Sequence, residues 1–485
     1  MTAVAVPAAT PVEERRPFRL PGPMWMWAVA TVVVAVSVAR WVSGNEDLTS
    51  PSVFSLAVRT AAPIALAGLG GLYAERSGTV NIGLEGMMVL GTVFGGWWAW
   101  EFGNPWMGII GGIIGGMLGG LLLGVATVTF GINHIVAGFA INILAPGIAR
   151  FMANVLFVGE EGGSLTNSPG FNGRIGSFTM PWLSGGSFFG MSTPDPLGRI
   201  ASWEWFVVSD VAGLLKGLTT ELRFDILLVV VLFAASVYVL WRTPFGLRLR
   251  SAGERPSAAD SLGVKVVLYR YIGVAMSGGL AGFGGAVLVI SSGRYGQGQT
   301  AGRGFLGLAA LVVGNWRPAS VAAGAGLFGF FDGLTLRLSS DELVIALLLA
   351  VAILLAVAAV YGTLSHPRVP VAFLTAMLAA VAMYVFLSLV TSALDGAGRT
   401  VVLLIGISAI AAVLTLLTRA GLGAVAITAA AAALALFAHR QLESMANEFV
   451  QMTPYIVTLL VVASRGQALR PPAQAGIPWR KGMQI

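Results

Sequence analysis

Cysteine is absent from the 485 residues, which excludes disulfides, thiol catalysis and cysteine-ligated zinc. Charge is scarce: Asp, Glu, Lys and Arg make up 11% of the chain, against about a quarter in a soluble domain. No GxxxxGK[ST] phosphate loop occurs anywhere, so the chain does not hydrolyse ATP by that route. No paired carboxylates or metal-ligand cluster sit at a common depth, which disfavours an enzyme. What remains is apolar. Hydrophobic residues reach 56% and the mean hydropathy is +0.82, the composition of an all-α, polytopic integral membrane protein. The formal charge of +7 is no nucleic-acid footprint, because the basic residues sit in loops and at helix ends rather than on one helix face.

Apolar stretches of spanning length or slightly less lie near 24–42, 53–73, 80–100, 107–129, 134–158, 224–242, 265–290, 304–316, 318–337, 343–362, 370–392, 400–418, 420–438 and 450–464. They amount to about 14 transmembrane or re-entrant helices. The stretch at 304–316 is short enough for a re-entrant half-helix. Met24 to Val42 is followed by no small-residue cleavage site and reads as a retained helix. The distribution of Lys and Arg predicts a cell-membrane protein with both termini cytoplasmic, together with the 242–265 loop, and with 159–223 outside. Arg294 and Arg303 count against this arrangement. Residues 1–23 then form a cytoplasmic tail and 24–338 the membrane core. Residues 339–440 are a four-helix insertion built almost wholly of Ala, Leu and Val, 441–464 a last core helix and 465–485 a second tail. LAGLGGLY at 66–73 and LAGFGGAV at 280–287 run in opposite directions through the membrane in this topology, as in an inverted repeat, which puts a substrate path between the halves.

Among the motifs, GGIIGGMLGGLLLG from Gly111 to Gly124 sets glycines at four-residue spacing on adjacent helix faces, the signature of close helix packing in lipid. Gly324 to Gly329 fits GxGxxG but follows no strand, so it is no nucleotide site. AERSGTVNIGLEGMMVLG, Ala74 to Gly91, carries Asn81 and Glu85 one helical turn apart on the same face, flanked by Gly78, Gly83 and Gly86. A carboxylate entering the membrane is a functional-site candidate; its structural alternative is a pair with Arg76 at the interface. GINHIVAGFAINILAPG, from Gly131, adds Asn133 and Asn142, which bind either a ligand or a neighbouring helix. Between Arg242 and Arg270 lies the most charged loop of the chain, with Arg248, Arg250, Gly253, Glu254 and Asp260, a surface for a soluble partner.

Residues 59–88, 131–143, 242–286, 300–334 and 453–462, with the PPAQAGIPWRKG tail, resemble the permease subunits of bacterial ABC importers of the branched-chain amino acid, ribose and nucleoside group. NIGLEG and the GRGF…NWRP stretch point to the nucleoside subgroup. The resemblance implies alternating access powered by a separate ATP-binding subunit, with no cofactor held by this chain. It implies a second homologous permease subunit and an extracytoplasmic solute-binding protein as further partners, besides membrane lipid. It makes Arg248 to Asp260 the segment that seats in the ATPase, and Asn81, Glu85, Asn133 and Asn142 the cavity residues. A nucleoside or a simple sugar suits those hydrogen-bonding groups equally. The alternative is an ion-coupled secondary transporter that uses acids such as Glu85.

Overall fold

The computed structural model describes residues 46–188, 191–203, 205–337 and 470–479, with six positions between 33 and 40. The expected four-helix insertion at 339–440, the expected last core helix at 441–464 and most of the 24–42 segment lie outside them. Two compact units divide the chain. The larger takes in Ser50–Trp203, Ala212–Arg337 and Gln451–Ile485. The smaller comprises Met1–Thr49, Glu204–Val211 and Leu338–Val450; among its described residues Arg40 pairs with the buried Asp210 at 3.2 Å.

Helices dominate the larger unit. In chain order they are α1 (Pro51–Arg76), α2 (Leu84–Glu101), α3 (Pro105–Gly124, extended by a wider turn over Val125–Thr129) and α4 (His134–Leu156). After the short α5 (Pro196–Ala201) and α6 (Val208–Gly217) come α7 (Phe224–Arg242), α8 (Pro244–Glu254) and α9 (Pro256–Ser261). The series ends with α10 (Val266–Ser292), α11 (Arg303–Val313) and α12 (Pro318–Arg337). Pro51, Pro105, Pro196, Pro244 and Pro256 each open a helix, where proline's fixed φ helps and its missing N–H costs nothing. Among the described residues six helices are long and apolar enough to cross a membrane: α1, α3, α4, α7, α10 and α12.

Glycine sets how closely these helices pack. Along α3, Gly112, Gly116 and Gly120 face α10. A Cβ on Gly116 would stand 2.1 Å from the Gly278 carbonyl oxygen, and one on Gly120 2.3 Å from that of Val274. The adjacent stripe, Gly111, Gly115 and Gly119, faces Trp98, Phe94 and Leu90 of α2. The expected two-faced packing is therefore present, backbone against backbone on one side and backbone against large side chains on the other. α1 and α10 also meet through small residues, Gly70 against Ser277 and Gly284 against Pro63. As the number rises on one helix it falls on the other, so the LAGLGGLY and LAGFGGAV segments pass in opposite directions.

α4 and α7 turn apolar residues outward, with Ile143, Phe151, Val230 and Tyr238 exposed, as helices bordering lipid do. The region after α4 carries two short antiparallel pairings, Ser177–Phe178 with Leu222–Arg223 and Ser187–Phe188 with Met191–Ser192. Trp182, Trp203 and Trp205 are exposed on it. Burial pushes the Asp195 carboxyl up, but Lys216 at 2.5 Å and the Gly198 N–H outweigh this and hold it below the usual carboxylate range.

Candidate functional site

The polar residues of the Ala74–Gly91 motif do not lie on one helix. α1 ends at Arg76 and α2 starts only at Leu84, which corrects the expected helical turn between Asn81 and Glu85. Gly78, at φ +99°, takes a backbone conformation that a side chain disfavours. Asn81 then folds its own oxygen back to accept the Gly83 N–H at 2.9 Å. Short polar side chains that bond nearby backbone compete with helix in this way.

A break inside a bundle leaves backbone groups that need partners, and neighbouring elements supply them. The Val80 N–H donates to His134 Nδ1 at 3.1 Å. Asn142 accepts the Gly86 N–H at 2.8 Å and donates to the Ile82 carbonyl at 2.9 Å. Asn81, fully buried, donates to Ser277 Oγ of α10 at 2.8 Å. Asn133 is exposed and does not join this group: its oxygen caps α4, accepting the Ile135 N–H at 2.9 Å.

Glu85 faces the start of α11. Its two oxygens accept the N–H groups of Gly302, at 3.0 Å, and Gly304, at 2.7 Å. A carboxylate there satisfies otherwise orphaned donors and meets the positive end of the helix. Arg76 is not its partner; Arg76 lies 3.6 Å from Glu254 and donates to the Trp316 carbonyl. α11 has 11 residues, about 16 Å of rise, too short to cross a bilayer. It is thus a half-helix whose N-terminus meets the start of α2. Arg303, its first residue, is a buried partner of Asp332 on α12 at 2.8 Å. At the other end of α11, Asn315 and Trp316 both have positive φ, a strained turn. Glu75 holds it by accepting the Trp316 indole N–H at 2.5 Å.

The charged segment forms the hairpin α8–α9. Arg248 and Glu254 are exposed on it, Arg250 stacks over Trp241 with its guanidinium 5.5 Å from the ring centre, and Asp260 is half-buried. Gly253 points inward: its Cβ position would lie 2.4 Å from the Arg76 carbonyl and 2.8 Å from the Gly78 nitrogen. The end of α8 therefore rests directly on the α1–α2 break. Leu247 and Leu262 are exposed on the same hairpin, Leu262 to 86%; sequence reasoning passed over them because isolated leucines in a charged loop carry no periodic signal. Ser277 and Arg270 carry no such signal either, one a small residue within a helix and the other a cation at the end of the charged loop.

A cavity of about 280 Å³ opens beside Arg76, Glu254, Asn315 and Arg317. A larger one, about 520 Å³, is lined by Arg59, Arg174 and Arg223 and by the end of α10. None of Asn81, Glu85, Asn133 and Asn142 lines either. Arg59 and Arg223 already pair with Glu221 and Asp225. Among the described residues no group of three His, Asp or Glu is placed to hold a metal ion.

Residues 53–358 match the family described as branched-chain amino acid transport system / permease component. Three curated relatives are similar over 56–59% of the chain. The nucleoside ABC transporter permease protein NupC of Lactococcus lactis is 35% identical over 279 residues, 56% of this chain and 78% of the relative. The guanosine ABC transporter permease protein NupQ of Bacillus subtilis is 32% identical over 283 residues, 57% and 79%. The putative glucose ABC transporter permease protein TsgC13 of Haloferax volcanii is 30% identical over 290 residues, 59% and 77%. No solved structure matches.

Proposed function

The chain belongs to the branched-chain amino acid transport system permease family, and from that premise we propose that it carries a nucleoside across the cell membrane as the permease subunit of an ABC importer. The multi-pass helical architecture is that of a membrane permease; both termini and the α8–α9 hairpin are assigned to the cytoplasm. A separate ATP-binding subunit seats on Arg248, Glu254 and the exposed Leu247 and Leu262, a second permease subunit pairs with this one, and a solute-binding protein delivers the ligand outside. The names of the nucleoside and guanosine relatives favour a nucleoside over a sugar.

The observation that carries the reading is the junction of the α1–α2 break with the α11 half-helix. Broken helices that meet inside a bundle place backbone dipoles and polar side chains where a polar solute must pass, and they can change arrangement without unfolding the bundle. Glu85, Asn81 and Asn142 line the path in this proposal. Each already bonds backbone, so a solute exchanges with these bonds as the path opens. Asn133 sits at its cytoplasmic edge. The inverted repeat of α1 and α10 and the full count of about 14 helices belong to the same proposal.

The experiment reconstitutes the chain with its ATP-binding subunit, second permease and binding protein in liposomes, and follows tritiated guanosine, uridine and glucose. Uptake of the nucleosides that needs ATP is expected. Uptake driven by an ion gradient with no ATPase present would establish the secondary-transporter alternative.

A further inference from the structure

The stretch Arg470–Trp479 crosses the same end of the bundle as α8 and α9 and bonds to four separate elements. The Arg470 N–H donates to Asn315 Oδ1, in the strained turn between α11 and α12, at 2.8 Å. The Ala473 N–H donates to Glu254 Oε2 at 3.2 Å, and the Gln474 N–H to the Gly253 carbonyl at 3.0 Å, both at the end of α8. Two residues later the Gly476 N–H donates to the Gly78 carbonyl, at the α1–α2 break, at 3.1 Å. The Ile477 carbonyl then accepts from Arg270 of α10 at 3.0 Å. Trp479 closes the run, buried with Ala252, Ala259 and Val266 of α8, α9 and α10.

Two features separate this strap from an ordinary packed terminus. It contributes main-chain groups to most of its bonds, so its grip depends on the path of the chain rather than on side-chain identity. Arg270 moreover is 1% exposed and donates to the Ile477 carbonyl, while among the described residues its Nε and Nη2 meet no acceptor. A buried guanidinium left with no acceptor is costly, so lifting the strap is opposed at Arg270. Resting on the transporter reading above, we propose that Arg470–Trp479 is a positioning strap that binds the α8–α9 hairpin to the α1–α2 break, so that motion imposed on the hairpin by the ATPase reaches the segment carrying Asn81 and Glu85. Gly253 and Gly78 already touch, which lets the hairpin push the break. The strap, bonded to Gly253 on one side and Gly78 on the other, lets it pull as well.

The test adds slack while keeping every group that bonds another element, and opens only the strap's own turn, where Ala475 donates to Pro472 and Ile477 to Gln474. Gly-Ser-Gly inserted between Gln474 and Ala475 in the full-length chain leaves the bonds from Gln474 and from Gly476 each able to form, while freeing one from the other. In liposomes with all partner subunits, the guanosine imported per ATP hydrolysed is expected to fall about tenfold, with assembly and ATP hydrolysis kept. A second variant removes 470–485 and adds R270M, which takes away the stranded charge; it is expected to assemble and to show the same uncoupling. Wild-type stoichiometry in either assembled variant would overturn the proposal. Failure of the slack variant to assemble would overturn it too, since the strap would then serve stability alone. A wild-type complex that hydrolyses ATP but imports no nucleoside would instead count against the substrate reading, not the strap.

Discussion

Glu85 is the residue at which two roles meet, because the carboxylate expected to face a solute is also the cap of α11. Glu85→Ala strands the Gly302 and Gly304 N–H groups, at a cost of about 1.5–3 kcal/mol for each charge-assisted bond. We expect guanosine uptake to fall at least about tenfold at unchanged expression, with Glu85→Gln intermediate because an amide still offers one oxygen. Unaltered uptake at normal expression would remove Glu85 from the path. Asn133→Ala should cost about 1 kcal/mol, as an exposed N-cap does, read as a small drop in melting temperature. Asn142→Ala removes two bonds to the break and should cost more. Asn81, Glu85 and Asn142 were legible in the sequence as polar residues in apolar surroundings, whereas Ser277 was not. Their geometry was not, since the spacing of Asn81 and Glu85 mimics a helical turn and only the positive φ at Gly78 reveals the break. Arg270 was hidden by its position at the end of the charged loop, where a cation looks like a surface residue.

At the scale of elements, the periodic apolar stretches from 53 to 337 corresponded to helices within a few residues, and 304–316 was short for the reason the structure gives: α11 is a half-helix. What periodicity could not reveal was which helices touch, except through glycine. Gly116→Leu should prevent α3 from seating on α10, where even a Cβ would stand 2.1 Å from the Gly278 oxygen. Overpacking of this kind costs about 1–3 kcal/mol or more, measurable as loss of folded complex in detergent, whereas Gly147→Leu, with nothing within 4 Å, should be tolerated. Asp195 supports the region after α4 through Lys216. Its folded pKa is depressed, so this support is present above the ordinary aspartate pKa of about 3.9 and is lost as pH falls through the lower folded value. Limited proteolysis of 177–203 should therefore accelerate only in strong acid. Deleting 339–440, which lies outside the described residues, should preserve guanosine uptake, because an even number of apolar segments keeps the sides of the following helix and those segments offer a solute few hydrogen-bonding groups. A deleted protein that assembles yet does not transport would place the insertion in the mechanism.

For the whole molecule, the chain purified alone is expected to turn over no ATP, having no phosphate loop. Arg248→Glu or Leu262→Asp should weaken association with the ATP-binding subunit in pull-down while leaving membrane insertion intact, since both side chains are exposed on the hairpin. The glycine seam between α3 and α10 has a further consequence. Where main chain lies on main chain there are no side-chain torsions to freeze on assembly and none to rearrange afterwards. Such a contact has a single register and does not yield by rotamer exchange, so α3 and α10, with α2 locked against the second glycine stripe, behave as one stiff block. Bending is then easier where the chain has already left the helix, as in the seven residues between Arg76 and Leu84 and in the approach to Gly302.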